Sequence, residues 1–223
     1  MIELNDVRKS YGKLEVLAGV SMTIHTGNII GLVGANGAGK TSLFRSIAGI
    51  ESYEGKIQIA EECLPIGLLL SNPDYLTKMT AKEYLTFMCK ARKIESFDVD
   101  AANIFELPLS SYASTFSTGM KKKLALTALL MQQNNFFILD EPFSGVDFES
   151  NLIINHVIKK IQEAGKTILI SSHILSSLTD ICDTIHFLNK GRIEQSVPQS
   201  DFSELQKTFE YQEFSPKIRD LKL

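Results

Sequence analysis

The chain has 223 residues, 44% of them hydrophobic and 22% charged, with a formal net charge of −3. That length holds one large domain or two small lobes, and the ordinary composition excludes a disordered or collagen-like chain. The near-balanced charge excludes a global electrostatic pull toward nucleic acid or acidic lipid.

Residues 1–27 alternate apolar and polar positions in short stretches: Ile2/Leu4, Val16/Leu17 and Val20/Met22/Ile24. Tyr11-Gly12-Lys13 and His25-Thr26-Gly27 punctuate them, which predicts a small antiparallel sheet. An apolar run, Asn28–Val33, then leads into Gly34-Ala35-Asn36-Gly37-Ala38-Gly39-Lys40-Thr41, followed by a helical pattern over 42–48. The eight residues form a complete G-x-x-x-x-G-K-[ST] phosphate-binding loop, with Ser42 opening the helix. Its glycines let backbone N–H groups curl round a phosphate chain at a helix N-terminus. Lys40 brings positive charge to the β- and γ-phosphates, and the Thr41 hydroxyl is suited to ligate Mg²⁺.

Glu54-Gly55-Lys56 turns the chain into a further strand at 57–59, and residues 64–70 predict another. From Met79 to Ser114 the pattern becomes helical, opening with a Thr80/Glu83 capping box. Ser117 is placed to cap a helix running to Met131. Lys121, Lys122 and Lys123 fall in its first turns, against the macrodipole, and are each expected on a solvated face. Phe136–Leu139 is a continuous apolar strand, as one buried on both faces should be. It ends in Asp140-Glu141. Ligands of open parallel sheets bind at the carboxyl ends of the strands. Asp140 is therefore expected to hold Mg²⁺ through water, and Glu141 to polarise an attacking water. A helix over 152–164 ended by Gly165, a strand over 167–170, a helix over 174–182 and a hairpin over 184–193 complete the order. Alternating strands and helices predict an α/β fold with a mostly parallel sheet flanked by helices. Residues 196–223 read as a short polar tail.

Three cysteines, Cys63, Cys89 and Cys182, are widely spaced. They suggest neither a disulfide framework nor a zinc site, so a reducing compartment is expected. The first residues lack the basic-then-apolar pattern of a signal region. No apolar run reaches the ~18–20 residues of a membrane-spanning helix, so a spanning function would fall to a separate chain.

Beyond the phosphate loop and the acidic pair, Phe116-Ser117-Thr118-Gly119-Met120, Ser144-Gly145-Val146-Asp147 and His173 follow in a fixed order. With them the chain resembles the ATP-binding subunits of ABC transporters over about residues 1–195. The resemblance implies a P-loop NTPase core with an N-terminal antiparallel β subdomain. It also implies an inserted helical subdomain, about 73–132, that carries the signature motif.

The resemblance further implies MgATP bound by residues 34–42 and Tyr11 stacked on adenine. It makes Glu141 and His173 catalytic and Asp140 and Thr41 the metal residues. Ser117 and Gly119 would face the nucleotide of a second ATPase subunit in a head-to-tail dimer. The expected partners are that second subunit, most simply an identical copy, and a separately encoded membrane permease, with no nucleic acid. The expected location is the cytoplasmic face of the membrane.

Read from the residues alone, His173 is also compatible with a satisfied strand-end histidine and Tyr11 with an ordinary turn tyrosine. His25, His156 and His186 are expected to be structural or exposed. Thr118 stands where the family usually has glycine, and Met120 where it often has glutamine. The lysine-rich form resembles subunits of small drug, peptide or polysaccharide exporters. Ser71 stands where the family places a glutamine or an acid that touches Mg²⁺. Being shorter, it implies weaker coupling to the permease unless Asn72 or Asp74 substitutes. Two other functions share the same chemistry: a non-transporter ATPase acting on nucleic acid or ribosomes, and an immunity component that sequesters a membrane-active peptide. The first usually carries tandem ATPase domains, a coiled coil or a basic stripe, none of which is seen in this sequence.

Overall fold

The computed structural model describes residues 1–205. Its first layer is a three-stranded antiparallel sheet of β1 (Ile2–Tyr11), β2 (Leu14–Ile24) and β4 (Glu54–Ile59), in the order β2-β1-β4. The short alternating stretches of the sequence merge into two long strands. Register shifts in β1, around Val7 and between Lys9 and Ser10, break the strict alternation that the sequence pattern tracks.

The second layer is a six-stranded sheet ordered β5-β6-β7-β3-β8-β9. Its strands are β3 (Ile29–Val33), β5 (Ile66–Leu69), β6 (Phe136–Leu139), β7 (Thr167–Ser172), β8 (Thr184–Asn189) and β9 (Arg192–Pro198). Pairing is parallel except for β8 with β9. Every residue of β3, β6 and β7 is buried. This explains why they read as unbroken apolar runs rather than alternating ones. The registers Leu69↔Leu139, Leu139↔Ile170 and Val33↔Ser172 bring the carboxyl ends of β5, β6, β7 and β3 to one edge.

The helices are α1 (Lys40–Ile47), α2 (Ala81–Ala91), α3 (Val99–Ala102), α4 (Thr118–Met131), α5 (Phe148–Glu163) and α6 (Ser176–Thr179). One core packs α1 and the antiparallel layer against one face of the large sheet, through Phe44, Leu43, Leu17 and Phe136. The other packs α2, α4 and α5 on the opposite face, through Leu85, Leu124, Ile154 and Phe137.

Several boundaries differ from expectation. The segment 79–114 is less helical than its pattern predicts, with loops between α2, the one-turn α3 and α4. Helix α5 starts at Phe148 rather than 152, because Asp147 caps it by accepting from the Ser150 N–H at 2.9 Å. The helix expected over 174–182 is the single turn α6. The hairpin continues through Pro198, and Phe202 beyond it is buried, so the ordered fold does not end at 195. The rest of the expected tail, 206–223, lies outside the described residues. The Thr80/Glu83 capping box and the Ser117 cap form as expected. Cys63, Cys89 and Cys182 are all buried and free.

Candidate active site

The edge where these strands end opens onto a cavity of about 510 Å³. Residues 36–42, Ser71, Asn72, Asp140, Glu141 and His173 line it, together with Leu14 and Val16.

The phosphate loop is shaped by close backbone approaches. A Cβ on Gly34 would lie 2.4 Å from the Leu188 carbonyl oxygen, so no side chain fits there. Gly39 has φ +109° and abuts the Val16 carbonyl, and it precedes α1 as its cap without a side-chain hydrogen bond. The first N–H groups of α1 are thus left to an incoming acceptor, and the helix dipole favours an anion there. Lys40 is 6% exposed, and its ammonium donates to the carbonyl oxygens of Gly34 (2.6 Å) and Ala35 (3.3 Å). It also lies 3.4 Å from Glu141 Oε1, a buried oxygen that has no hydrogen-bond partner. A buried cation beside an uncapped helix start and a glycine cradle fit a nucleotide's phosphates.

Asp140 is 1% exposed and held from both sides. Thr41 donates to its Oδ2 at 2.7 Å, and Ser171 donates to its Oδ1 at 2.7 Å. A hydroxyl and a carboxylate in contact fit the hard oxygen donors that Mg²⁺ prefers. Ser171 also accepts from the Glu141 N–H at 3.0 Å. The sequence reading missed Ser171. Its signal is the hydroxyl pair Ser171-Ser172 ahead of His173, but its role depends on the β6–β7 register.

Glu141 has φ +51°, a left-handed conformation rare for glutamate, at the turn after β6. His173 Nδ1 lies 2.9 Å from Glu141 Oε2, so these two expected catalytic residues meet in the folded chain.

Lys122 corrects the expectation of a solvated face. It is 3% exposed, lines the cavity, and donates to the carbonyl oxygens of Glu141 (2.7 Å) and Ser144 (2.5 Å). Burial pushes its ammonium below the usual lysine range, while the Glu141 and Asp140 carboxylates pull it back up. Lys123 also turns inward, to Asp147 at 3.1 Å and Ser150 at 2.9 Å.

Ser117 accepts from the Met120 N–H at 3.2 Å. A Cβ on Gly119 would stand 2.7 Å from the Gly145 carbonyl oxygen. Of this turn, Thr118 reaches the cavity edge, and Ser117 and Gly119 are not among its lining residues. Nor is Tyr11, whose hydroxyl donates to Glu51 and contacts Ser42 Oγ at 3.2 Å. Leu14 and Val16 are the apolar residues that β2 presents to the cavity. Ser71 and Asn72 both line the cavity, so the alternative that Asn72 substitutes for the expected glutamine has a geometric basis, which Asp74 lacks.

The ABC transporter family model matches residues 17–144. The uncharacterized ABC transporter ATP-binding protein YybJ of Bacillus subtilis (strain 168) is 32% identical over 209 residues, covering 88% of this chain and 96% of that one. The lantibiotic transport ATP-binding protein SrtF of Streptococcus pyogenes is 29% identical, covering 86% of this chain and 89% of that one. A solved ATP-binding subunit of an ABC transporter superposes with a TM-score of 0.77 at 25% identity, over 93% of each chain. A dimeric ATP-binding cassette bound to ADP and Pi, at 21% identity and TM-score 0.76, has the same fold; the match covers 89% of this chain and 99% of that one. The chain belongs to the ABC transporter family. It is an ATP-binding subunit of that family, and its enzymatic activity is that of an ATPase. The P-loop NTPase fold expected from the sequence is the one observed.

Proposed function

We propose that this chain hydrolyses MgATP to power a separate membrane permease, as one of two ATPase subunits arranged head to tail. The observation that carries the chemistry is the convergence of Lys40, Asp140, Glu141 and His173 on one cavity behind the phosphate loop. Lys40 and the N–H groups of the loop and α1 bind the phosphates. Thr41 and Asp140 would hold Mg²⁺, which when bound would offset phosphate charge. Glu141 takes the proton of the attacking water, and His173 orients the Glu141 carboxylate through their 2.9 Å contact. The Leu14 and Val16 side chains, with Tyr11 beside them, receive the base.

Ser117 and Gly119, at the start of α4, would act on the nucleotide of the second subunit. The motivation is that Ser117 and Gly119, unlike Thr118 between them, are not among the residues lining the chain's own cavity. Among the described residues no helix is long and apolar enough to cross a membrane, which supports a separate permease. Export is the favoured direction, because one relative is named for lantibiotic transport and another, in Bacillus subtilis, for linearmycin resistance. The cytoplasmic membrane face is the matching location.

The test is Lys40→Ala. Removing the buried cation is expected to abolish MgATP binding, measured by calorimetry, and with it hydrolysis. Wild-type affinity and turnover in the folded variant would overturn the site.

A further inference from the structure

Lys122 has no role in the reading so far, yet it is a buried cation gripping the backbone of the proposed base. Its ammonium bonds the carbonyl oxygens of Glu141 and Ser144, and the Glu141 carbonyl also accepts from the Ser144 N–H at 3.2 Å. On the other side, the Glu141 N–H donates to Ser171. Both peptide groups flanking the Glu141 Cα are therefore clamped, and this is the residue whose φ is +51°. A left-handed glutamate persists where its surroundings over-determine it. The direction of the carboxylate follows from that backbone.

Lys122 itself comes from α4, whose first turns are joined to the 141–150 segment at further points. Gly119 approaches the Gly145 carbonyl too closely for a side chain, and Lys123 bonds Asp147 and Ser150. Helix α4 and the Glu141 turn thus form one packed body, with Lys122 as its innermost link.

We propose that Lys122 is a positioning residue for ATP hydrolysis, holding the Glu141 turn so that its carboxylate faces the phosphates. The proposal rests on Glu141 as general base. Neither carbonyl needs the charge as such; what the geometry needs is a donor spanning both. Burying a lysine is costly, and here its direct hydrogen bonds go to two backbone carbonyls, so its presence marks the backbone it holds.

The experiment compares Lys122→Met, Lys122→Gln and Glu141→Gln in the full chain. It measures kcat, nucleotide affinity by calorimetry, and amide hydrogen exchange over 141–146. Lys122→Met is one atom shorter, unbranched and apolar, and loses the donors. It is expected to lower kcat ~10-fold or more, a part of the ~10²–10⁴-fold that a general base contributes, leave ATP affinity within about 3-fold, and speed exchange in the turn. Lys122→Gln has the same length as Lys122→Met but retains two N–H donors, and kcat is expected between Met and wild type.

Wild-type kcat in Lys122→Met, or equal losses in Gln and Met, would overturn the proposal. So would affinity and kcat falling together. If Lys122→Met fails to fold, Lys122→Gln decides: lowered kcat with held affinity supports the proposal, and wild-type kcat rejects it. Glu141→Gln keeps the two readings apart. If it turns over at the wild-type rate, the assignment of the base fails. If it is inactive while Lys122→Met is fully active, only the role of Lys122 fails.

Discussion

At the scale of single residues, the phosphate loop is readable because its chemistry is local: spacing alone puts Lys40 and Thr41 beside the glycines. Lys122 and Ser171 were not readable in the same way. Their partners lie 19 to 31 positions away, and only the β6–β7 pairing and the seat of α4 bring them together. A lysine triplet looks like solvated charge until two of its members are seen to point inward.

His186 was expected to be structural or exposed, and it is buried. Its Nδ1 meets Ser196 Oγ at 2.6 Å, and its Nε2 has no hydrogen-bond partner. Burial lowers its pKa below the ordinary 6.5, because the charged ring loses its hydration. The unfolded chain therefore takes up this proton first as pH falls. The stability tied to neutral His186 is complete above about 6.5 and declines as pH falls through that value toward the folded pKa. A single such group changes stability by up to about 1.4 kcal/mol per pH unit in that window. Denaturant unfolding at pH 7.5 and 5.5 is expected to show a smaller loss in His186→Gln than in wild type. Equal losses would show that His186 does not contribute.

At the scale of elements, type was more legible than extent. Strands β3, β6 and β7 were found from their unbroken apolar runs, and α2 and α4 from their caps. The start of α5 was missed because the polar run Glu149-Ser150-Asn151 separates Phe148 from the apolar residues that begin at Leu152, whereas the true signal was Asp147 with Ser150. The insert between α2 and α4 was read as more helical than it is, since Phe105, Leu107 and Leu109 lie outside helices yet pack in the same core as Leu85 and Leu124.

Helix α4 carries an electrostatic conflict, with three lysines near its positive end. The Ser117 cap is therefore exposed to a direct test. Ser117→Ala is expected to cost about 1 kcal/mol of stability, the usual worth of a side-chain N-cap. Chemical denaturation measures it, and an unchanged midpoint would mean that water replaces the cap without loss.

At the scale of the whole molecule, the two layers serve one edge. The antiparallel layer brings Leu14 and Val16 to the cavity, the parallel sheet delivers Asp140, Glu141 and His173, and α4 braces the Glu141 turn. The order of these parts was legible because each leaves a short motif. The depth of the clamp round Glu141 was not, because it is built from backbone carbonyls that carry no sequence signal.

The central claim is that Glu141 is the base of an ATPase whose nucleotide is held independently by the phosphate loop. Single-turnover hydrolysis of bound ATP by Glu141→Gln, against wild type, tests it most directly. The expected result is near wild-type ATP affinity with hydrolysis slowed ~10²–10⁴-fold, the usual contribution of a general base. Hydrolysis of bound ATP at the wild-type rate would contradict it.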